Sequence, residues 1–325
     1  MPANILITGH RGYIGSALVN FLSGSNFINK IVGYDLVDGN DILDYPNLLQ
    51  TFKNNEINIV VHLAAISSVS ACNDNAKAAM KTNSTGTNNV LRAMKESGCK
   101  NIIYASTSSV YGNNPVTPYT EEMKPDPCSP YGITKLWGEF AIQNHFNMQK
   151  NRGNYFIFRM FNVVGTCGNY EIDMKSHPGY DRLFGALQSG YMTIYGNDYN
   201  TMDGTCERDY VSLKDVCAAY LSGIKVLVLT NRYREIINIC TGVPVSVKTI
   251  IDKWNCISEY IACDRDNYKN CAQLNTVEYD YGSRRAGDPE KVYGANRKAN
   301  MILDWKFQRK IEHIIREIAY DKNIK

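Results

Sequence analysis

Several marks of non-globular and non-enzymatic chains are missing from this sequence. No apolar run among its 325 residues approaches the length needed to span a bilayer, so no membrane partner is expected. The opening "MPANILITG" has neither a basic region nor the apolar stretch of a secretory signal, which points to a cytoplasmic protein. Charge of one sign is scarce too. Lysine and arginine number 35 against 32 acidic residues and the two signs are interspersed, leaving no footprint for nucleic acid. Ten cysteines occur, yet no two form a CxxC pair, which favours reduced, buried thiols over a disulfide framework. Cys256, Cys263 and Cys271 share one polar stretch without a histidine at ligand spacing, so no metal site is expected. Repeats and low-complexity linkers are also missing.

What is present reads as an α/β enzyme. "NILIT", "KIVGYD", "INIVVHLAA" and "NIIYAS" are short apolar strand signals separated by helix-period segments. That βαβαβ order predicts a doubly wound parallel (Rossmann) sheet with helices on both faces. Beyond about residue 165 the pattern breaks into Gly-, Asn- and Tyr-rich segments typical of a smaller α/β substrate-binding subdomain. "REIINI" reads as a late strand returning to the main sheet. The expected division is a cofactor domain from 1–165 with 212–240, and a substrate subdomain from 166–211 with 241–325.

"ITGHRGYIGS" links the first strand to the first helix. Gly9, Gly12 and Gly15 stand where glycine permits a tight turn, close approach of backbone to a pyrophosphate, and close helix–strand packing. The helix amino end then meets the phosphate charge. Asp35 ends the second strand; a carboxylate there accepts from a ribose hydroxyl and repels a 2′-phosphate, which favours NAD. Arg11 argues the other way, because a guanidinium in this loop could pair with that phosphate.

At "ASTSSVYG" a buried strand ends in a row of hydroxyls, at the sheet edge where ligands bind. "SPYGITK" supplies a partner for them. Ser129 and Pro130 start a helix, and Tyr131 and Lys135 lie one turn apart on one face of it. A free tyrosine, with a pKa near ~10, is a poor base at neutral pH. A nearby ammonium favours the phenolate, and bringing that pKa near neutrality takes ~4 kcal/mol, within reach of charges in a dry cleft.

Together these features resemble the extended short-chain dehydrogenase/reductase family over essentially the whole chain, and within it the UDP-galactose 4-epimerases. The resemblance is carried by "TGHRGYIGS", "VVHLAA", "NSTGTNNVL", "STSSVYG", "SPYGITK", "FRMFNVVG", "YGNDYNTMDGTCERDYVSLKDV" and "SRRAGDP". It implies transient oxidation of a UDP-hexose at C4 by a tightly held NAD, with Tyr131 as base, Lys135 lowering its pKa, and Thr107 bonding the sugar O4. It implies cofactor contacts from Gly9, Gly12, Tyr13, Ile14, Gly15, Asp35, Asp41, Ile42, Ala64 and Asn83, besides Tyr131 and Lys135. On the substrate side it implies Asn162, Arg208 and Arg285 at the diphosphate, Tyr195 near the uracil and Asp288 at a ribose hydroxyl. Val292 falls at the family's gate for the C2 substituent; its small side chain would admit N-acetylhexosamines as well as plain hexoses.

A homodimer is implied through helices near 75–97 and 130–150, with Met80, Val90, Met94, Phe140 and His145 facing outward. Sugar-nucleotide dehydratases of the family carry an acidic pair where Ser108 and Ser109 stand here, which argues against dehydration. The alternatives are an NAD(P)H-dependent 4-keto-sugar nucleotide reductase, a UDP-glucuronate 4-epimerase and a non-catalytic dinucleotide sensor. The chain departs from the family pattern in a short connection after Asp35, in Arg182 beside the substrate phosphate, and in a longer 262–283 stretch.

Overall fold

A computed structural model describes residues 3–148, 153–166, 183–230, 233–263, 275–285 and 287–320. Arg182, Cys271 and residues 264–274 of the long polar stretch lie outside them. The first part of the chain runs β1 (Ala3–Thr8), α1 (Tyr13–Leu22), β2 (Ile28–Tyr34), α2 (Tyr45–Asn54), β3 (Ile59–His62), α3 (Val69–Asp74), α4 (Ala76–Met80), α5 (Gly86–Ser97) and β4 (Asn101–Thr107). Then come α6 (Pro130–Met148), β5 (Asn154–Met160), β6 (Asn162–Val164), α7 (Phe184–Ser189), β7 (Tyr191–Tyr195), β8 (Glu207–Ser212) and α8 (Leu213–Leu229). The chain continues with β9 (Arg234–Ile239), β10 (Pro244–Ser246), α9 (Val247–Cys263), β11 (Glu278–Gly282), β12 (Lys291–Val292), α10 (Arg297–Leu303) and α11 (Ile311–Tyr320).

Six parallel strands form the main sheet in the order β2-β1-β3-β4-β5-β9. "IVVH" is buried along its whole length and "NIIYAST" all but at its first residue, as central parallel strands require with helices on both faces. One core layer packs Leu18 and Leu22 of α1 and Tyr220 of α8 on the sheet; the other packs Phe52 of α2, Val90 and Met94 of α5 and Ile142 of α6. Strand order reverses between β1 and β3, so the loops after these strands open onto the ligand side of the sheet.

The rest of the chain builds a second core around Trp254 of α9, with α7, β7 and α11; the indole N–H donates to Asn275 O at 2.9 Å. α10 and Trp305 share the first core with β1 and α8, so the last third of the chain also supports the main sheet. Ala299, Leu303 and Trp305, within the segment 241–325, are apolar and pack against α8 and β9.

Two of the residues expected on a dimer face are core instead. Val90 and Met94 are fully buried on the sheet, whereas Met80 and Phe140 are exposed. Among the described residues no helix is long and apolar enough to cross a membrane.

Candidate active site

The glycine loop fits a dinucleotide pyrophosphate because it has no room for side chains. Gly9 takes a left-handed conformation (φ 73°), and a Cβ on it would come within 2.7 Å of the Ala64 nitrogen. A Cβ on Gly15 would lie 2.2 Å from the Gly9 carbonyl oxygen. The loops after β1 and β3 thus touch, which puts Ala64 beside the glycine turn. No side chain caps α1 at Gly12, and the backbone N–H groups of such a helix end are what holds an anion. Tyr13 and Ile14 open α1 there; the Tyr13 hydroxyl reaches across to donate to Gly165 O at 2.5 Å.

Asp35 stands at the end of β2, where its Oδ1 accepts from Val37 N (3.1 Å) and its Oδ2 from Arg11 N (3.0 Å). Each oxygen keeps a lone pair for a ribose hydroxyl. Arg11 is not waiting for a phosphate: its guanidinium forms a bidentate pair with Asp38, with contacts of 2.9–3.1 Å. Asp41 turns its carboxylate to Leu43 N (2.9 Å).

Two expected cofactor contacts are residues whose side chains the protein itself holds. Ile42 points its side chain into the core, so tightly against α5 that a Cβ on Gly86 would meet its Cδ1 at 2.4 Å. Asn83, fully buried, spends its amide on the backbone N–H and carbonyl of Ile66 and on the Thr134 hydroxyl. It ties the loop after β3 to α6.

The hydroxyl row and the Tyr–Lys pair meet where α6 crosses the end of β4. The approach is close because the helix carries glycine at the crossing: a Cβ on Gly132 would sit 2.7 Å from Ser109 O, and one on Gly138 2.3 Å from the Tyr104 hydroxyl. Lys135, only 3% exposed, donates from Nζ to Ala105 O at 2.8 Å. Burial pushes its ammonium down to about 8, so it is still charged at neutral pH while titrating within reach of it. Two residues along β4, Thr107 keeps its hydroxyl at the strand end, bonded to the Ser109 hydroxyl and backbone N–H (both 3.2 Å). Tyr131 is half-buried one helical turn before Lys135. His62, buried under the same strands, bridges the Thr8 and Thr87 hydroxyls (2.7 and 2.9 Å); burial lowers it to about 3, so it is a neutral spacer.

Sequence reasoning missed Glu139 and Arg159, the pair behind this corner. Ser106 points away from the ligand side and donates to Glu139 at 2.5 Å. Glu139 in turn takes a bidentate bond from Arg159 of β5 (3.0 and 2.6 Å), all three side chains being almost fully buried. Arg159 lies over the Tyr111 ring, whose hydroxyl bonds Asn238 at 2.7 Å. The signal available was spacing: Tyr131, Lys135 and Glu139 are each four apart on one helix face, and a carboxylate has no place on a sheet-facing stripe unless paired.

The substrate side is organised by β8. β6 pairs with it at Tyr210 and β12 at Arg208, which draws Asn162, Arg208 and Val292 together. Arg208 binds the Asp288 carboxylate at 2.5 Å and the Glu207 carbonyl at 2.8 Å. Asn162 is exposed. Val292 packs on the small apolar cluster of Val110, Tyr111, Tyr119, Phe161 and Cys240. Arg285 lies over the Tyr195 ring at 4.0 Å, one residue along from Arg284, which lies over Tyr199 at 4.1 Å and pairs with Asp198.

Comparison with known proteins gives the family. The profile of the NAD dependent epimerase/dehydratase family matches residues 5–240. A UDP-glucose 4-epimerase of Lacticaseibacillus casei is 31% identical, over 93% of this chain and 91% of its own. The crystal structure of UDP-glucose 4-epimerase from Brucella ovis in complex with NAD superposes with a TM-score of 0.83 at 25% identity, covering 98% of this chain and 97% of that one. The Thermotoga maritima UDP-glucose 4-epimerase with UDP-glucose gives a TM-score of 0.76 at 26% identity, covering 98% and 97%.

Proposed function

Because the chain belongs to the NAD dependent epimerase/dehydratase family, we propose that it is an isomerase that inverts C4 of a UDP-hexose, interconverting UDP-glucose and UDP-galactose. The observation that carries the reading is the convergence of Tyr131, Lys135 and Thr107 at the end of β4, with Lys135 Nζ bonded to Ala105 O. Bound NAD supplies the oxidising power at C4 and returns the same equivalent, so no net redox change occurs.

The chain's own residues do the rest. Tyr131 takes the O4 proton and gives it back, Lys135 holds its phenolate, and the Thr107 hydroxyl bonds O4 and fixes it between them. Gly9, Gly12 and Gly15 with the start of α1 cradle the dinucleotide pyrophosphate, and Asp35 accepts from its ribose. Arg208 and Arg285 hold the substrate diphosphate, a task suited to guanidinium forks, while Asn162, Tyr195 and Asp288 seat the nucleotide. The sugar is gripped least, as a ketone that must offer both faces requires. Val292 leaves room at C2, so the N-acetylated pair is accepted as well.

The reductase alternative rests on Arg11 and on the short connection after Asp35; of these, Arg11 is held by Asp38. We further propose a homodimer through the outer face of α6. Ile133, Trp137 and Phe140 form an exposed apolar stripe there (46, 37 and 58%), with exposed Met80 nearby on α4. Light scattering at micromolar concentration should return twice the chain mass; a monomer refutes the interface.

The activity is tested by adding UDP-galactose to the purified protein without added cofactor. UDP-glucose should accumulate to a fixed ratio, with reduced nicotinamide visible only as a minor bound species. No second sugar nucleotide, or stoichiometric oxidation of the substrate, contradicts the reading.

A further inference from the structure

Arg11 stands beside the place where the adenosine ribose is recognised: its backbone N–H donates to Asp35 Oδ2 at 3.0 Å. In this position a guanidinium would ordinarily accept a 2′-phosphate. Here its side chain turns instead to Asp38, with Nε 3.1 Å from both carboxylate oxygens and Nη2 2.9 Å from Oδ1. His10 Nε2 lies 3.1 Å from the same carboxylate.

The shortened connection after β2 is what delivers Asp38. Asp35 caps a single turn, Leu36–Asp38, by accepting from Val37 N, and its carbonyl accepts from Asp38 N (3.0 Å) and Asn40 N (2.9 Å). Gly39 leaves the turn in the left-handed region (φ 78°), and the chain enters α2 with no further strand outside β2 among the described residues. The turn therefore folds its last side chain back over the glycine loop.

We propose that Asp38 restricts this protein to the dinucleotide without a 2′-phosphate, by occupying Arg11. A 2′-phosphate would have to displace Asp38 from the guanidinium and then lie beside two carboxylates, Asp35 and Asp38, with one guanidinium between them. A 2′-hydroxyl asks for neither change and uses the free lone pairs of Asp35. The inference rests on the NAD reading of the site and adds the residue that enforces it.

The test is a competition read by occupancy rather than turnover. The full chain, as purified, is incubated with equal excess NAD and NADP, and the bound dinucleotides are resolved by native mass spectrometry. Wild type should hold NAD almost alone. Asp38→Asn, which keeps the shape and removes the charge, should raise the NADP-to-NAD ratio by about tenfold or more, and Asp38→Gly should do the same. Adding Arg11→Met to Asp38→Asn should return most of that gain. An unchanged ratio in both Asp38 variants overturns the proposal, as does a gain that survives loss of Arg11. Wild type holding NADP as well as NAD overturns it while leaving the NAD reading intact; wild type holding neither overturns both.

Discussion

Two ion pairs flank the site, and they are built differently. Behind the catalytic strand, Arg159 and Glu139 are 2% and 1% exposed and locked by a bidentate bond, with Ser106 completing the carboxylate's partners. On the substrate side, Arg208 and Asp288 are 13% and 27% exposed, Arg208 on the strand that pairs with β6 and β12 and Asp288 in the loop before β12. The first pair is finished before any ligand arrives. It pins β4 and β5 to α6, the helix that carries Tyr131 and Lys135. In the proposed reaction the second pair must exchange partners, because Arg208 is asked to hold a diphosphate and Asp288 a ribose. A proton has to move between fixed atoms, whereas a nucleotide has to enter and leave; the corner that does the first is buried and the wall that does the second is open.

Substitutions on the two sides should therefore fail differently. The largest effect belongs to Tyr131→Phe. It should fold and retain NAD yet lose turnover by about 10²–10⁴-fold, since the ring packing survives and the base does not; more than about a tenth of the wild-type rate would remove Tyr131 from its role.

Glu139→Gln should cost about 3–5 kcal/mol of stability, read as a lowered denaturant midpoint, because it leaves the Arg159 charge buried without its counter-charge. Asp288→Asn is the control across the comparison. Its pair is only part-buried and better solvated, so its midpoint should fall clearly less than that of Glu139→Gln. Equal losses in the two variants would erase the distinction.

Arg208→Met should raise KM for the UDP-sugar about tenfold or more with little change in kcat, the pattern of lost ground-state grip. A fall in kcat at constant KM would place Arg208 in the chemistry instead.

The most selective effect is expected from Val292→Tyr, which should lower the N-acetylated substrate's kcat/KM relative to UDP-galactose by about 1–3 kcal/mol. Refusal of UDP-N-acetylgalactosamine by wild type, or an unchanged ratio in the variant, removes Val292 as the gate.

The same contrast explains what could be read from the sequence. The parallel sheet, the glycine turn and the Tyr131–Lys135 spacing are local patterns, and a local pattern constrains its own geometry. Gly9 and Gly15 are legible because only glycine fits where they stand. The Glu139–Arg159–Ser106 lock was not legible, since its members are 20 and 33 residues apart and meet only when α6 packs on the sheet. Helical period marked Val90 and Met94 as one apolar face of α5, but period alone does not say whether sheet or partner covers it; the sheet does. The connection after Asp35 was read as a departure from the family, yet its consequence, Asp38 folded onto Arg11, depends on a left-handed turn at Gly39 that the length of the segment alone does not dictate.

The central claim is that one carbon is oxidised and re-reduced inside a corner whose protein groups handle only the O4 proton. Epimerisation of UDP-galactose carrying deuterium at C4, run in ordinary water beside unlabelled substrate, tests it directly. The account predicts UDP-glucose with the deuterium still at C4 of the same molecules and none on the unlabelled pool. Deuterium lost to solvent would mean that a protein base had removed the carbon-bound proton, and the assignment of Tyr131, Lys135 and Thr107 would be contradicted.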